Sequence, residues 1–164
     1  MVNEHADRQT AQESARETAR ETAQETAERS AKVMWSADAA SRALGMELVA
    51  VSPGRAVVTM TVRPDMVNGW EVCHGGLIAS LADSAFAVAC NSRGQVTVAS
   101  GFDVSFLESG RLDDVLVATA EERALRGRSG LYDVTVVRGG ESGDGTVVAE
   151  FRGRSRSLGR PIEG

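Results

Sequence analysis

The sequence predicts an α+β domain in which an antiparallel sheet is wrapped around one buried helix. Three observations lead there. A single long helical run, residues 76–91, is apolar over a broad face. Two strand-like segments precede it and four follow it. Only Gly-rich or acidic turns separate those last four, the pattern of a strand meander covering a helix. A sheet of this kind leaves edge strands, so pairing between chains is expected.

Taken in order, the chain opens on tetrads. Residues 13–32 read ESAR, ETAR, ETAQ, ETAE and RSAK, with Ala at 15, 19, 23, 27 and 31. A spacing of four sets a slowly drifting helical stripe. Glu13 with Arg16 and Glu17 with Arg20 are placed to pair along it. No Leu, Ile, Val or aromatic residue stands between Val2 and Val33. The expectation is a low-complexity extension over 1–32, a solvated helix or disordered, with a partner-binding helix as the rival reading. The folded domain is set at 33–160 and a tail at 161–164.

Residues 37–44 form a short helix capped by Asp38 or Ser36 and ended by Gly45. Met46–Val51 reads as a strand and Ser52-Pro53-Gly54 as a turn. In 55–63, Ala56, Val58, Met60 and Val62 alternate with Val57, Thr59, Thr61 and Arg63, a half-buried strand. After a loop with Pro64, Asn68 and Gly69 comes the long helix, where Leu77, Ile78, Leu81, Ala82, Ala85, Phe86 and Ala89 recur at three and four. The remaining strands are 96–107, 114–126, 130–138 and 145–157, with turns at Ser109-Gly110, Gly127 and 139–145.

Composition excludes several functions. Net charge is −5, from 23 acidic and 18 basic residues, against a general nucleic-acid binder. Cys73 and Cys90 are too few for a disulfide framework, and only Cys73 and His74 stand together, too little for a zinc site. No apolar run reaches membrane-spanning length, and the N-terminus lacks the basic-then-apolar order of a signal peptide. A soluble, cytoplasmic protein is expected, with no membrane or nucleic-acid partner.

The chemistry centres on NGWEVCHGGLIASLADSAFAVACNS, residues 68–92. Asp83 is the one charge from Gly75 to Cys90, and a carboxylate in an apolar helix costs free energy unless something pairs with it or uses it. Ser80, Ser84, Ala87 and Asn91 share its stripe, so a wet structural face is the plain alternative. Gly75 and Gly76 open the helix, where unpaired N–H groups and the dipole can polarise a carbonyl oxygen; a tight turn would explain the same glycines. Asp83 lies eight residues past Gly75, roughly 12 Å along the axis, too far for both to act on one carbonyl from one helix. Either Asp83 is structural, or it faces the Gly75 of another chain across a two-fold axis. Cys73-His74 reads as a neighbouring pair that points apart, with His74 capping the helix entry. Asn68 before Gly69 is a turn residue on residue type alone. Arg126 and Arg128 flank Gly127, and Arg152, Arg154 and Arg156 share a strand face; phosphate or solvent would suit either set.

The assembly N-x5-HGG-x4-LAD, that is Asn68, His74-Gly75-Gly76 and Leu81-Ala82-Asp83, resembles the hotdog-fold acyl-CoA thioesterases. Within them it is similar to the phenylacetic-acid-degradation type, the PaaI family. AVVTMTV, MVNG, CHGG, LADSAFAVACNS, the FL at 106–107, GLYDV and FRGRS fall in the expected order. The resemblance covers about residues 35–160 and leaves out the tetrads. It implies a long helix wrapped by a curved antiparallel sheet, edge-to-edge dimers that usually associate into tetramers, and active sites at the dimer interface. It implies Asp83 as general base or nucleophile in thioester hydrolysis, Gly75 N–H polarising the carbonyl, and Asn68 positioning the carbonyl or the water. His74, Gly76, Arg126, Arg128 and Arg154 are the implied substrate-binding residues. Where family members often carry a basic residue and proline, Glu108-Ser109 stand, and an acid there repels phosphate.

The expectation is thus a homo-oligomeric thioesterase acting on phenylacetyl-CoA or its ring-hydroxylated forms, without metal or cofactor. Its rivals are a hotdog dehydratase or hydratase, for which His74 is the only domain histidine, and a non-catalytic acyl-CoA-binding module.

Overall fold

A computed structural model describes residues 3–139 and 145–163. Helix α1 spans Asn3–Ala37 and α2 Ala39–Ala43; strands β1 (Met46–Ser52) and β2 (Arg55–Thr61) lead through a 3-10 turn at Pro64–Met66 to α3 (Gly75–Asn91). Then come β3 (Gln95–Phe106), β4 (Val115–Arg126), β5 (Ser129–Gly139) and β6 (Val147–Pro161). The Gly-rich turn expected at 139–145 lies largely outside the described residues. Among those residues no helix is long and apolar enough to cross a membrane.

The six strands form one antiparallel sheet in the order β1-β2-β4-β5-β6-β3. Alternation is what lets it wrap the helix: Ala56, Val58 and Met60 of β2, Leu116, Ala118 and Ala120 of β4, and Tyr132, Val134 and Val136 of β5 all turn inward and are buried. They meet Ile78, Leu81, Ala82, Ala85, Phe86 and Ala89 of α3, the face read from the three-and-four spacing. The outer face of the sheet carries ion pairs instead, Arg152 and Arg123 to Asp133 and Arg154 to Asp103. The expected α+β class and the helix-in-sheet architecture are what the structure shows.

Two boundaries differ from the expectation. The first helix runs unbroken past residue 32, and Ala27, Ser30 and Ala31, all before that point, are buried. Gln24 Nε2 donates to Val51 O (2.9 Å), so packing on the domain begins near residue 24. Alanine buries little area, but other residues of the helix also lie close to the domain: a Cβ on Gly94 would stand 3.0 Å from Thr26 Cγ2. At the other end β6 continues to Pro161, and Ile162 N–H donates to Gly94 O (2.9 Å). The short helix is capped by Asp38, which accepts from Ser41 N–H (2.9 Å), and is followed by Gly45 at φ +68, a left-handed position suited to glycine.

Candidate active site

Each N–H at the start of α3 has a distinct fate. His74 is the N-cap, and its Nδ1 accepts from Gly76 N–H (3.1 Å). An accepting Nδ1 puts the proton of the neutral ring on Nε2. The N–H groups of Leu77 and Ile78 reach His74 O (2.9 and 3.4 Å). Gly75 N–H alone has no acceptor among the described residues. A helix start with one unused N–H is a place for an oxygen that bears or develops negative charge.

The glycines are not there for a turn, since neither has a positive φ. They are there for space. A Cβ on Gly75 would stand 3.1 Å from Phe106 Cζ, and one on Gly76 would stand 3.3 Å from His74 Nδ1. One glycine admits an aromatic ring against the helix start and the other admits the capping imidazole.

Along the polar stripe of α3 the side chains satisfy themselves, with one exception. Ser80 Oγ donates to Gly76 O (2.8 Å). Ser84 Oγ lies 3.0 Å from Ser41 Oγ, which donates to Asp38. Asn91 is buried and bridges to β3, donating to Thr97 O (2.8 Å) and accepting from Thr97 N–H (2.9 Å). Asp83 is the exception: its Oδ1 is sealed from solvent and has no hydrogen-bond partner. Burial raises its carboxyl above the usual range. The wet structural stripe therefore accounts for its neighbours but not for Asp83.

The thiols are placed for inertness. Cys90 is buried, and its pKa is pushed up to about 12, first by burial and then by the charge of Asp83. Burial also raises Cys73, whose Sγ is directed at His74 O (3.8 Å) and not at the imidazole. Among the described residues no three of His, Cys, Asp and Glu gather closely enough to hold a metal ion.

Asn68 has a more specific orientation than a turn requires. Its Oδ1 accepts from Trp70 N–H (2.8 Å) and Val72 N–H (3.4 Å), holding a loop closed by the Val67–Cys73 bridge. That loop contains Glu71 at φ 60 and leads straight into His74. With its oxygen so engaged, Asn68 has its Nδ2 hydrogens left to give.

The arginines are dispersed. Arg154 Nη1 pairs with Asp103 Oδ2 (2.6 Å), Arg128 Nε donates to Ser157 O (2.8 Å), and Arg126 is exposed at the β4–β5 tip. Arg126 and Arg154 line one shallow depression with Ser100 and Ser155. That end of the sheet adjoins the C-terminal end of α3, because β3 starts there; Phe106, at the Gly75 end, is nine residues beyond Thr97, roughly 30 Å of strand. Within one chain the arginines are not brought to the helix start. The sequence assigns Phe106 no role beyond its place in the FL pair at 106–107; only the fold shows its ring on Gly75.

Comparison with known proteins matches residues 71–143 to the family model of the thioesterase superfamily. The chain is 44% identical over 135 residues to the acyl-coenzyme A thioesterase PaaI of Escherichia coli (strain K12), spanning 82% of this chain and 94% of that protein. The solved structure of E. coli PaaI, from the phenylacetic acid degradation operon, superposes with a TM-score of 0.81 at 42% identity, over 85% of this chain and 99% of that one. A mutant of the phenylacetic acid degradation protein PaaI of Thermus thermophilus gives a TM-score of 0.68 at 36% identity, over 74% of this chain and 100% of that one.

Proposed function

The chain belongs to the PaaI acyl-CoA thioesterases of hotdog fold, and from that premise we propose that it hydrolyses phenylacetyl-CoA, or ring-hydroxylated phenylacetyl-CoA, at a site shared by two copies of itself. The observation that carries the shared site is the separation of two unused groups on one helix. Gly75 N–H lacks an acceptor and Asp83 Oδ1 lacks a donor, and roughly 12 Å of helix lies between them.

The sheet supplies a way to join them. Its edges are β1 and β3. Helix α1 packs against β1, whereas β3 is longer and leaves Val98 and Phe102 exposed. An open strand with apolar side chains is a pairing edge. A second copy added antiparallel to β3 runs its strand the opposite way, so the partner's Thr97 end, with its arginine hairpin, lies beside the Phe106 and Gly75 end of the first. The two helices then also run oppositely, and each Asp83 approaches the other chain's helix start.

In the reaction, the thioester carbonyl oxygen accepts from Gly75 N–H, with Asn68 Nδ2 as a second donor. Asp83 of the other chain serves as base toward water or as nucleophile toward the carbonyl carbon. The tetrahedral oxyanion is held at the helix start, and its collapse breaks the C–S bond; in the base route the thiolate takes the proton Asp83 drew from water, and in the nucleophilic route water then hydrolyses the acyl–Asp83 anhydride and supplies that proton. The products are the carboxylic acid and CoA thiol, with one water consumed. Arg126 and Arg128 from the partner's hairpin face the phosphates, while Arg154 is occupied by Asp103. His74, with Nδ1 accepting from Gly76 N–H, orders the helix start.

The test is thiol release from a panel of acyl-CoAs, with phenylacetyl-CoA and hydroxyphenylacetyl-CoA beside straight-chain esters of similar size. The aryl-acetyl esters are expected to show the highest kcat/KM. Faster turnover of straight-chain esters would overturn the substrate assignment.

A further inference from the structure

We propose that Phe106 is the specificity-determining residue of the acyl pocket: its ring is the wall on which the acyl group of the bound thioester lies, and it favours a flat aromatic group. This rests on Gly75 N–H being the carbonyl donor.

The ring is already at the reacting centre. Its Cζ and Cε2 lie 3.1 and 3.3 Å from the point a Cβ on Gly75 would occupy. A carbonyl oxygen within about 2.9 Å of Gly75 N–H leaves its carbon only a bond further away. The two substituents of that carbon, the CoA sulfur and the acyl chain, must both pass the same short stretch of wall. The sulfur leads the long CoA tail out toward solvent, so the acyl group is the substituent that stays against the ring.

Two tethers keep the ring and the N–H together. Leu107 N–H and Glu108 N–H both reach Val148 O (2.8 and 3.2 Å), pinning the end of β3 to β6. Cys73 N–H donates to Gly110 O (2.8 Å), joining the loop beyond β3 to the chain entering α3. The wall is thus built on the framework and not on a free loop.

The ring also has a face to offer. Phe86, Tyr132, Phe151 and Phe102 form one contiguous aromatic cluster with centroids 4.7–5.8 Å apart. Phe106 stands outside that cluster and is 50% exposed. An aromatic acyl group adds an offset or edge-on ring contact that an alkyl chain of equal area lacks.

The experiment compares kcat/KM for phenylacetyl-CoA and hexanoyl-CoA in the full-length wild type, Phe106→Leu and Phe106→Tyr. Leucine keeps apolar bulk and loses the flat face; tyrosine keeps the ring. The aryl-to-alkyl ratio is expected to fall about three- to tenfold in Phe106→Leu, the range of an aromatic contact, and to stay close to wild type in Phe106→Tyr. Each ratio is internal to one protein, so a reduced active fraction cancels. An unchanged ratio in Phe106→Leu overturns the proposal whatever the absolute rates. A wild-type preference for hexanoyl-CoA removes the aryl-acetyl substrate assignment, and the change of ratio on Phe106→Leu still decides whether the ring touches the acyl group. Undiminished turnover in Gly75→Pro, which has no N–H to give, removes the donor assignment on which the wall depends.

Discussion

A carboxylate oxygen sealed from water without a donor is an expensive thing to keep, and Asp83 keeps one in the middle of the longest apolar helix of the domain. Removing the charge at constant shape separates its cost from its use. Asp83→Asn is expected to lower kcat by roughly two or more powers of ten, the scale of losing a general base. It is also expected to leave stability in urea unchanged or improved at neutral pH. The sign follows from burial, which raises the folded-state pKa above the unfolded value of 3.8. The folded chain therefore prefers the protonated acid. Below the unfolded pKa wild type bears no penalty relative to Asp83→Asn; the penalty sets in as pH rises from there and is complete above the raised folded pKa. Activity has the opposite trend, falling as pH drops through the pKa of the base. Equal stability curves for the two proteins over that range would show that Asp83 is solvated after all. Asp83 is legible in the sequence because a lone charge in an apolar run needs no fold to be noticed. The orientation of Asn68 is not, because it depends on which N–H groups the loop presents, nor is Phe106, whose contact with Gly75 joins residues 31 positions apart in the chain.

At the scale of elements, the strands and the central helix are legible because each buries one regular face, and period two or period three-and-four writes that face into the residue order. Helix α1 shows where periodicity is silent. Its alanine spacing of four continues from residues that are exposed, such as Ala15 and Ala19, to residues that are buried, Ala27 and Ala31. What changes between them is the surface beneath, β1 and Gly94, and a repeat cannot announce that. The consequence is a graded response to shortening. A chain starting at residue 23 is expected to keep the thermal midpoint of the full chain. One starting at residue 33 loses Ala27, Ser30, Ala31 and the Gln24 bond to Val51, and is expected to melt several degrees lower, at about 2–4 °C per kcal/mol lost for a domain of this size. Thermal unfolding of the two shortened chains decides it: equal midpoints would make the whole tetrad segment an appendage.

The whole molecule poses the question that one chain leaves open, whether base and oxyanion donor come from different copies. A spacing of eight residues along a helix is legible in the sequence, and so is the choice it poses between a structural Asp83 and a second chain; the edge open to a second chain is not, because strand order does not follow chain order. β3 follows directly on the long helix in the middle of the chain, yet it lies at the border of the sheet. Complementation tests the sharing directly. Asp83→Asn removes the base and leaves the helix start; Gly75→Pro removes the N–H and leaves the base. Proline is well tolerated at the first position of a helix, but its ring presses on Phe106, so Gly75→Ala, which presses there and keeps the N–H, is the control and should retain more activity than Gly75→Pro. If sites are shared, each parent is nearly inactive, and subunit exchange creates mixed dimers with one intact site and one doubly damaged site. With equal amounts and random exchange, half the dimers are mixed and half of their sites work, so turnover should recover to about a quarter of wild type. If each site lies within one chain, every site in the mixture keeps one lesion and no recovery occurs. Differently tagged copies, co-purified through both tags, establish that the mixed species has formed; inactivity in that fraction would return Asp83 and Gly75 to separate sites, while recovery in it places them across one interface.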